Sequence, residues 1–241
     1  MPALTWLFDL DNTLHDASYA IFPAINANMN AYMAQVLGDG ATPADPAHVN
    51  YLRHEYWRRY GATLLGMVRH HQVRTEDFLR EAHRFDDLSA MIRAERGLGR
   101  LLKRLPGKKI LLTNAPRRYS REVLRHLGLH RHFADHIPVE AMHVHGQLRP
   151  KPSKVLLRKL LAQYRIAPQR TVLVEDTVGN LKAARALGLR TAWVTQYLPT
   201  DPNSLAQSIH PTRMRLTRLP AYVDVKVKSV RHLPGSLARL R

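Results

Sequence analysis

Residues 5–14 have the sequence TWLFDLDNTL, and this stretch is the strongest single indication of the fold. Its apolar run is typical of a strand that is buried on both faces of a parallel sheet. The run nevertheless carries two carboxylates, Asp9 and Asp11, and a turn-like Asn-Thr pair follows them. An Asp-x-Asp at the end of a strand is common turn and cap chemistry, so this pair alone does not indicate catalysis.

Further buried strands follow along the chain, and helical segments separate most of them. Helices with Gly128 and Gly188 at their ends lie between these strands. Alternation of this kind predicts an α/β protein with a Rossmann-like parallel sheet and crossover helices. The strands are expected at residues 6–10, 108–114, 170–176 and 190–195, with a last, edge strand within 222–230.

A long helical stretch follows the first strand before the second strand begins. Apolar spacing predicts helices over residues 18–37, 48–73, 75–84 and 87–93. We therefore expect an inserted helical cap at residues 16–95 and an α/β core built from residues 1–15 and 96–230. The basic segment 231–241 is expected to be a disordered tail, and residues after Pro199 are expected to form a basic loop.

Composition limits the chemistry and the partners. The 241 residues include no cysteine, which removes disulfides, thiolate nucleophiles and cysteine-type zinc sites. No stretch is apolar enough to span a bilayer, and no signal peptide is evident, so no membrane partner and a cytoplasmic location are expected. The net charge of +18 attracts phosphate groups. Nucleic-acid binding is possible on that ground, but it is not favoured because the basic residues are scattered along the chain.

Polar residues recur where the predicted strands end or a helix begins, which is where ligands collect in a parallel α/β sheet. Each has an ordinary alternative as a helix cap, a turn residue or a surface lysine. Their conjunction in this order favours a catalytic site. The set consists of Asp9, Asp11, Thr113, Asn114, Lys151, Glu175 and Asp176.

These residues lie in four sequence motifs, DLDNT, LLTN, RPKPS and VEDTVGN. The motifs resemble those of the haloacid dehalogenase superfamily of phosphohydrolases. The resemblance covers residues from about 6 to 195. It implies that Asp9 is the nucleophile and Asp11 the general acid and base. Thr113, Asn114 and Lys151 would bind the phosphoryl group.

The same resemblance implies a Mg²⁺ site. Asp9, Asp176 and the backbone carbonyl of Asp11 would ligate the ion, which prefers hard oxygen donors. Asn180 could hold a metal-bound water, and Glu175 could either ligate the metal or orient the groups around it. These two possibilities for Glu175 stay open.

Asp11 also separates two chemistries within the superfamily. Dehalogenase members lack a carboxylate at this position because a halide leaving group needs no proton, so Asp11 favours phosphate esters. The segments DNTLHDAS, YWRRYGATLLGMVRHHQV and TNAPRRYSREVLRHLGL resemble the pyrimidine 5′-nucleotidase branch, with one departure at Tyr119, where that branch has histidine.

The resulting expectation is a Mg²⁺-dependent phosphatase that forms an aspartyl-phosphate and releases phosphate from UMP or CMP. Candidate contacts to base or ribose in the cap are Tyr60, Arg69, His70 and His71, although an ordinary helix face explains these residues equally well. The alternatives are a phosphatase for a sugar phosphate or phosphoglycolate, and a nucleic-acid-associated binding protein on the same scaffold.

Overall fold

The computed structural model describes residues 4–198 and 219–240. It divides into two compact units, one formed by residues up to Tyr19 together with those from Ile92 onward, the other by Ala20–Met91. These boundaries lie four residues from the expected ones at 15/16 and 95/96. The basic loop expected after Pro199 falls largely at residues 199–218, which lie outside the described part of the chain.

The first unit contains a six-stranded sheet with the strand order β3-β2-β1-β6-β7-β8, and every pairing in it is parallel. The predicted α/β class is therefore confirmed. The expected last strand does lie at an edge, although it is only three residues long. The strands are β1 (Thr5–Phe8), β2 (Lys108–Leu112), β3 (Asp135–Ile137), β6 (Thr171–Glu175), β7 (Arg190–Val194) and β8 (Val225–Val227), and β4 (His143–Val144) pairs with β5 (Gln147–Leu148) in a separate hairpin.

Helices accompany this sheet, and their leucines pack in one core with the strands. Leu156 and Leu160 of one helix and Leu181 of another share this core with Leu7 and Leu173. The strands β1 and β6 are buried at every position, as expected for strands covered on both faces. The longer helices described in this unit are α6 (Leu98–Arg104), α7 (Arg117–His126), α8 (Lys154–Tyr164) and α9 (Val178–Arg185).

A glycine allows β1 and β2 to approach closely where the two paired strands begin. Gly107 has a φ of +89°, and a Cβ added there would lie 1.9 Å from the backbone oxygen of Leu4. That oxygen accepts a hydrogen bond from the N–H of Lys108 (3.1 Å), at the start of β2. Any side chain at residue 107 would therefore disturb the pairing that positions the ends of both strands.

The second unit consists of helices alone. They are α1 (Ile21–Leu37), α2 (Pro46–Tyr60), α3 (Thr63–His71), α4 (Thr75–Ala82) and α5 (Leu88–Met91). The single helix expected over residues 48–73 is wrong, because Gly61 adopts a left-handed φ of +81° and ends α2. Gly66 lets α3 pack on α2, since a Cβ there would lie 2.1 Å from the ring of Tyr56.

The C-terminal segment is helical from Val230 to Leu240, which differs from the expectation of a disordered tail at residues 231–241. Val230–Ser236 form a 3₁₀ helix, and Leu237–Leu240 form a short α-helix. Ser229 begins the first of these as part of a capping box with His232. Leu233 and Leu240 are fully buried, so apolar anchors hold this segment despite its basic composition. Arg241 lies outside the described residues.

No helix within the described residues is long and apolar enough to cross a membrane.

Candidate active site

The candidate active site is formed where β1, β2 and β6 end. Asp9 follows β1, and its N–H donates to the backbone oxygen of Val174 in β6 (3.0 Å). Glu175 ends β6, Asp176 follows it, and Thr113 follows β2. All four of these polar residues are buried, as is Lys151 in the loop before α8. Parallel pairing thus brings together residues from segments that are more than a hundred positions apart in sequence.

Lys151 connects two of the carboxylates. Its Nζ donates to Asp9 Oδ1 and to Glu175 Oε2, each at 2.7 Å, and all three side chains are almost fully buried. Taking charged groups out of water costs free energy. The attraction between the buried ammonium and the two carboxylates offsets this cost. The lysine therefore fixes the position of Asp9 and neutralises part of its surroundings.

Asn114 holds the main chain of this lysine. Its Nδ2 donates to the backbone oxygen of Lys151 (3.0 Å), and its Oδ1 accepts from the backbone N–H of the same residue (2.9 Å). The side-chain amide that was predicted to bind phosphate thus contacts the loop that carries Lys151. Thr113 keeps its hydroxyl at the end of β2, where its oxygen accepts from the N–H of Ala115 (3.0 Å).

Three buried carboxylates come close enough to share a cation. Asp9, Glu175 and Asp176 each offer an oxygen, and these oxygens lie within 4.8 Å of one another. Within residues 4–198 and 219–240 this is the one group of at least three potential metal ligands. Its donors are all hard oxygens, a set that fits Mg²⁺ better than a soft transition metal.

Neighbouring groups fix the orientation of Asp176 and Glu175. The Thr177 hydroxyl donates to Asp176 Oδ1 (3.1 Å), and the Thr177 N–H donates to Glu175 Oε1 (3.2 Å). The Trp193 indole donates to the backbone oxygen of Asp176 (2.9 Å). Asn180 is buried in the first turn of α9, where its N–H donates to the backbone oxygen of Thr177 (3.1 Å).

The electrostatics of the group indicate a shortage of positive charge. Burial, with the Glu175 carboxylate as the next contribution, raises the pKa of Asp9 to about 8. Burial, followed by the carboxylates of Glu175 and Asp9, raises the pKa of Asp176 well above its ordinary value. Burial also acts to raise the pKa of Glu175, but the Lys151 ammonium and the hydrogen bonds that Glu175 forms with Asp176, Lys151 and Thr177 together lower that pKa. One lysine thus faces three carboxylates, and a divalent cation would supply the charge that keeps all three ionised.

Asp11 lies in different surroundings, although it is only two residues from Asp9. Its Oδ1 accepts a hydrogen bond from the Tyr119 hydroxyl (2.5 Å) and lies 2.9 Å from His15 Nε2. Tyr119 is 2% exposed and His15 is fully buried. Burial, followed by the Asp11 carboxylate, raises the pKa of Tyr119 well above its ordinary value, so its hydroxyl stays protonated and donates.

The tautomer of His15 follows from its surroundings. In the described part of the chain, its buried Nδ1 has no hydrogen-bond partner. A buried N–H without an acceptor is costly, so we assign the ring proton to Nε2, which donates it to Asp11. Oδ1 of Asp11 then accepts two hydrogen bonds.

Sequence reasoning missed the role of His15 and treated Tyr119 only as a departure from a family pattern. The signal for His15 is its position four residues after Asp11, at the end of a tight turn. Asn12 shapes that turn with a φ of +57°, and its Oδ1 accepts from the N–H groups of Ala17 and Ser18 (both 3.1 Å). No local signal could have identified Tyr119, which lies 108 residues from Asp11.

The four predicted substrate contacts lie in the helical unit, where they form a cluster of their own. The Tyr60 hydroxyl and His70 Nε2 are 2.6 Å apart, and the guanidinium of Arg69 lies 5.7 Å from the centre of the Tyr60 ring. His71 Nε2 lies 2.7 Å from the hydroxyl of Tyr56. The cluster joins the end of α2 to the end of α3.

Comparisons with known proteins agree with this architecture. A family model described as a haloacid dehalogenase-like hydrolase matches residues 5–188, which include every residue of the acidic group. The fold is similar to that of a HAD phosphatase from Thermococcus onnurineus, with a TM-score of 0.61, 15% identity and 97% of each chain covered.

Two further solved structures have the same fold. L-2-haloacid dehalogenase from Xanthobacter autotrophicus has a TM-score of 0.59 at 16% identity, with 98% of this chain and 99% of that chain covered. A HAD-superfamily hydrolase of subfamily IA from Geobacter sulfurreducens has a TM-score of 0.52 at 19% identity, with 97% and 96% covered.

Proposed function

The chain belongs to the haloacid dehalogenase-like hydrolase family, and we propose that within this family it is a Mg²⁺-dependent phosphatase that acts on small phosphate monoesters, with pyrimidine 5′-nucleotides as the preferred substrates. The observation that carries this proposal is the buried group of Asp9, Lys151, Glu175 and Asp176, in which one ammonium contacts two of three clustered carboxylates.

Asp9 is the proposed nucleophile. One of its carboxylate oxygens attacks the phosphorus, and the bond from phosphorus to the leaving oxygen breaks as the aspartyl-phosphate forms. Lys151, 2.7 Å from Asp9 Oδ1, orients the carboxylate and balances charge on the transferring group. The Thr113 hydroxyl is proposed to donate to a phosphoryl oxygen. Asn114 acts through Lys151, whose backbone it binds, and is proposed as a positioning residue.

Asp9 and Asp176 would hold the metal, with the backbone carbonyl of Asp11. Glu175 either joins them or orients them, and Asn180 would hold a water of the metal. When bound, Mg²⁺ supplies the positive charge that offsets the clustered carboxylates and the phosphate dianion.

Asp11 is the proposed general acid and base. It gives its proton to the leaving oxygen in the first step. In the second step it accepts a proton from the water that attacks the phosphorus, and the bond between phosphorus and Asp9 breaks. Tyr119 and His15 both donate to Oδ1, so the proton in transit is carried on Oδ2. The two donors hold the carboxyl plane, which makes Tyr119 and His15 positioning residues.

The presence of this proton donor favours phosphate esters over haloacids. A halide leaves as an anion and needs no proton, whereas an alkoxide leaving from phosphorus is strongly basic and does. A carboxyl group held by two dedicated donors would have no task in dehalogenation.

The preference for pyrimidine nucleotides is the finer part of the proposal. It rests on the segments that resemble the pyrimidine 5′-nucleotidase branch and on Tyr60, Arg69, His70 and His71 as predicted contacts. Sugar phosphates and phosphoglycolate are the alternative esters. The net charge of +18 is the observation behind the other alternative, a nucleic-acid-associated protein on this scaffold.

The test is phosphate release by the purified protein with Mg²⁺ and, separately, with EDTA. The substrates are UMP, CMP, dUMP, AMP, GMP, several sugar phosphates, phosphoglycolate and an aryl phosphate. Metal-dependent release that is fastest with pyrimidine monophosphates is expected, and Asp9→Asn, prepared in the same way, should release none. Release from other esters alone would keep the chemistry and reject the nucleotidase. No release by folded protein would reject the phosphatase.

A further inference from the structure

A second concentration of charge lies in the α/β unit and is not part of the candidate active site. A cleft of about 400 Å³ is lined by six residues, four of them arginines, and we name it the arginine cleft. The lining residues are Arg96, Gly97, Arg100, Leu101, Arg104 and Arg231.

Two separate segments build the arginine cleft. Arg100 and Arg104 lie four residues apart on α6 and therefore on one face of it, and Arg96 just precedes that helix. Arg231 comes from the 3₁₀ helix near the C-terminus, where its N–H donates to Ser229 Oγ (3.1 Å). Since Leu233 in the same 3₁₀ helix is fully buried, the fourth arginine is brought to the cleft by a packed element.

Carboxylates are scarce around the four guanidinium groups in the described part of the chain. None of the four forms an ion pair within the described residues, whereas Arg58, Arg80 and Arg185 do. The Glu95 carboxylate contacts the hydroxyl of Ser229, the same oxygen that accepts the backbone N–H of Arg231, so it lies near the cleft without forming a described ion pair with these arginines. Four like charges with little counter-charge among the described residues repel one another, and an anionic ligand would relieve that repulsion.

The chemistry of the lining selects the class of anion. A guanidinium presents a planar fork of donors that matches phosphate oxygens, and four such groups can serve several phosphates at once. Among the described residues the lining contains no aromatic side chain, so they offer a nucleobase no surface on which to stack. The volume is that of a small-ligand site.

From these observations we propose that the arginine cleft binds a small oligophosphate, a chain of two or more linked phosphate groups, through its four guanidinium groups. The chain is recognised by charge and by bidentate hydrogen bonds, whether it is free or is the phosphate tail of a nucleotide. This site is independent of the phosphatase chemistry proposed above.

The test is calorimetric titration of the full chain with inorganic triphosphate, pyrophosphate and orthophosphate, in EDTA and moderate salt. The variant Arg100→Ala/Arg231→Ala is compared with Arg125→Ala/Arg158→Ala, which removes the same charge from exposed positions outside the cleft. Triphosphate should bind more tightly than orthophosphate. The cleft variant should weaken it by about tenfold and the control variant by less than about twofold. Phosphatase activity of the cleft variant should be unchanged.

Equal losses in the two variants would overturn the proposal, because net charge alone would then explain the binding. No binding of triphosphate by the wild-type protein would also overturn it. Displacement of triphosphate by a single-stranded oligonucleotide at a much lower phosphate concentration would assign the cleft to nucleic acid and reject the small ligand. If Arg100→Ala/Arg231→Ala fails to fold, Arg96→Ala/Arg104→Ala tests the same site, with the same three results decisive.

Discussion

The candidate residues that the sequence indicated in the α/β unit and in the helical unit form two polar clusters that are built in opposite ways. In the α/β unit, Asp9, Lys151 and Glu175 come from distant segments, are buried, and are joined by charged hydrogen bonds of 2.7 Å. In the helical unit, Tyr60 and His70 come from two consecutive helices and form an exposed hydrogen bond. Burial makes each charge of the first cluster depend on its partners, whereas water can replace the partners in the second. Mutations should therefore have large, coupled effects in the first and small, local effects in the second.

The largest effect is expected from Lys151→Met. The substitution leaves two buried carboxylates without their ammonium, which should lower the free energy of unfolding by about 3–5 kcal/mol. It should also lower kcat/KM by roughly 10²–10³-fold, the usual loss for one preorganised electrostatic donor. Thermal unfolding and phosphate release measure the two effects.

Lys154→Met is the matched control, since Lys154 is exposed at the start of α8. Because a cation would replace the missing charge, added Mg²⁺ should raise the Tm of Lys151→Met by more than it raises the Tm of the control. An unchanged Tm together with unchanged turnover would show that the buried charges do not depend on one another.

The next effect in size is expected from Tyr119→Phe, which removes one of the two donors to Asp11. For an alkyl phosphate such as UMP, kcat/KM should fall about tenfold, since one hydrogen bond to a charged group is lost in the step that expels the leaving group. For an aryl phosphate with an acidic leaving group, kcat/KM should change little, because that leaving group needs no proton. Steady-state kinetics on both substrates separate the cases. Equal losses on both would contradict a positioning role and indicate a general structural defect.

The change of tyrosine to phenylalanine at Tyr60, in the helical unit, is the direct counterpart of Tyr119→Phe. Tyr60→Phe removes the hydroxyl that contacts His70 but keeps the ring. The KM for UMP should rise by about two- to fivefold, kcat should stay constant, and Tm should change by less than about 2 °C. Tyr51→Phe is the control, because Tyr51 is 65% exposed in α2. If KM is the same for both variants, the predicted base or ribose contact at Tyr60 is wrong.

The smallest effect is expected from the half-buried side chain of His136. Burial, followed by the charges of Arg117 and Arg121, lowers the pKa of His136 from 6.5 to about 4, against an opposing effect of Asp135. Between pH 6.5 and about 4 the unfolded chain therefore binds a proton at His136 that the folded protein does not bind. The free energy of unfolding consequently has its full value, as far as His136 is concerned, above pH 6.5, and it decreases as the pH falls toward 4. Because solvent screens part of the interaction, a loss of about 1 kcal/mol is expected at pH 5.

The measurement is Tm between pH 7.5 and pH 5 for wild-type protein and for His136→Gln, which keeps a polar group near the Ser120 hydroxyl (2.8 Å from His136 Nε2). The wild-type Tm should fall more steeply than that of the variant. Parallel curves would assign the acid sensitivity to the carboxylates alone.

The match between sequence and structure is closest where one strand or one turn fixes the chemistry. Asp9 and Asp176 follow buried strands of a parallel sheet, Glu175 ends one of them, and the ends of such strands meet at one edge. Their convergence was therefore predictable from strand order and from position at a strand end. The helix boundaries in the second unit were less predictable, since Gly61 divides one apolar pattern into two helices.

Hydrophobic periodicity and turn chemistry act over a few neighbouring residues, so they predict the α/β class, the parallel strands and the polar residues at the strand ends. Three contacts depend instead on the folded chain: Lys151 bridges Asp9 and Glu175, Tyr119 donates to Asp11, and Arg231 joins the arginines of α6. Each of these contacts spans distant parts of the chain. Its existence depends on the packing of whole elements, and no local pattern of residues encodes it.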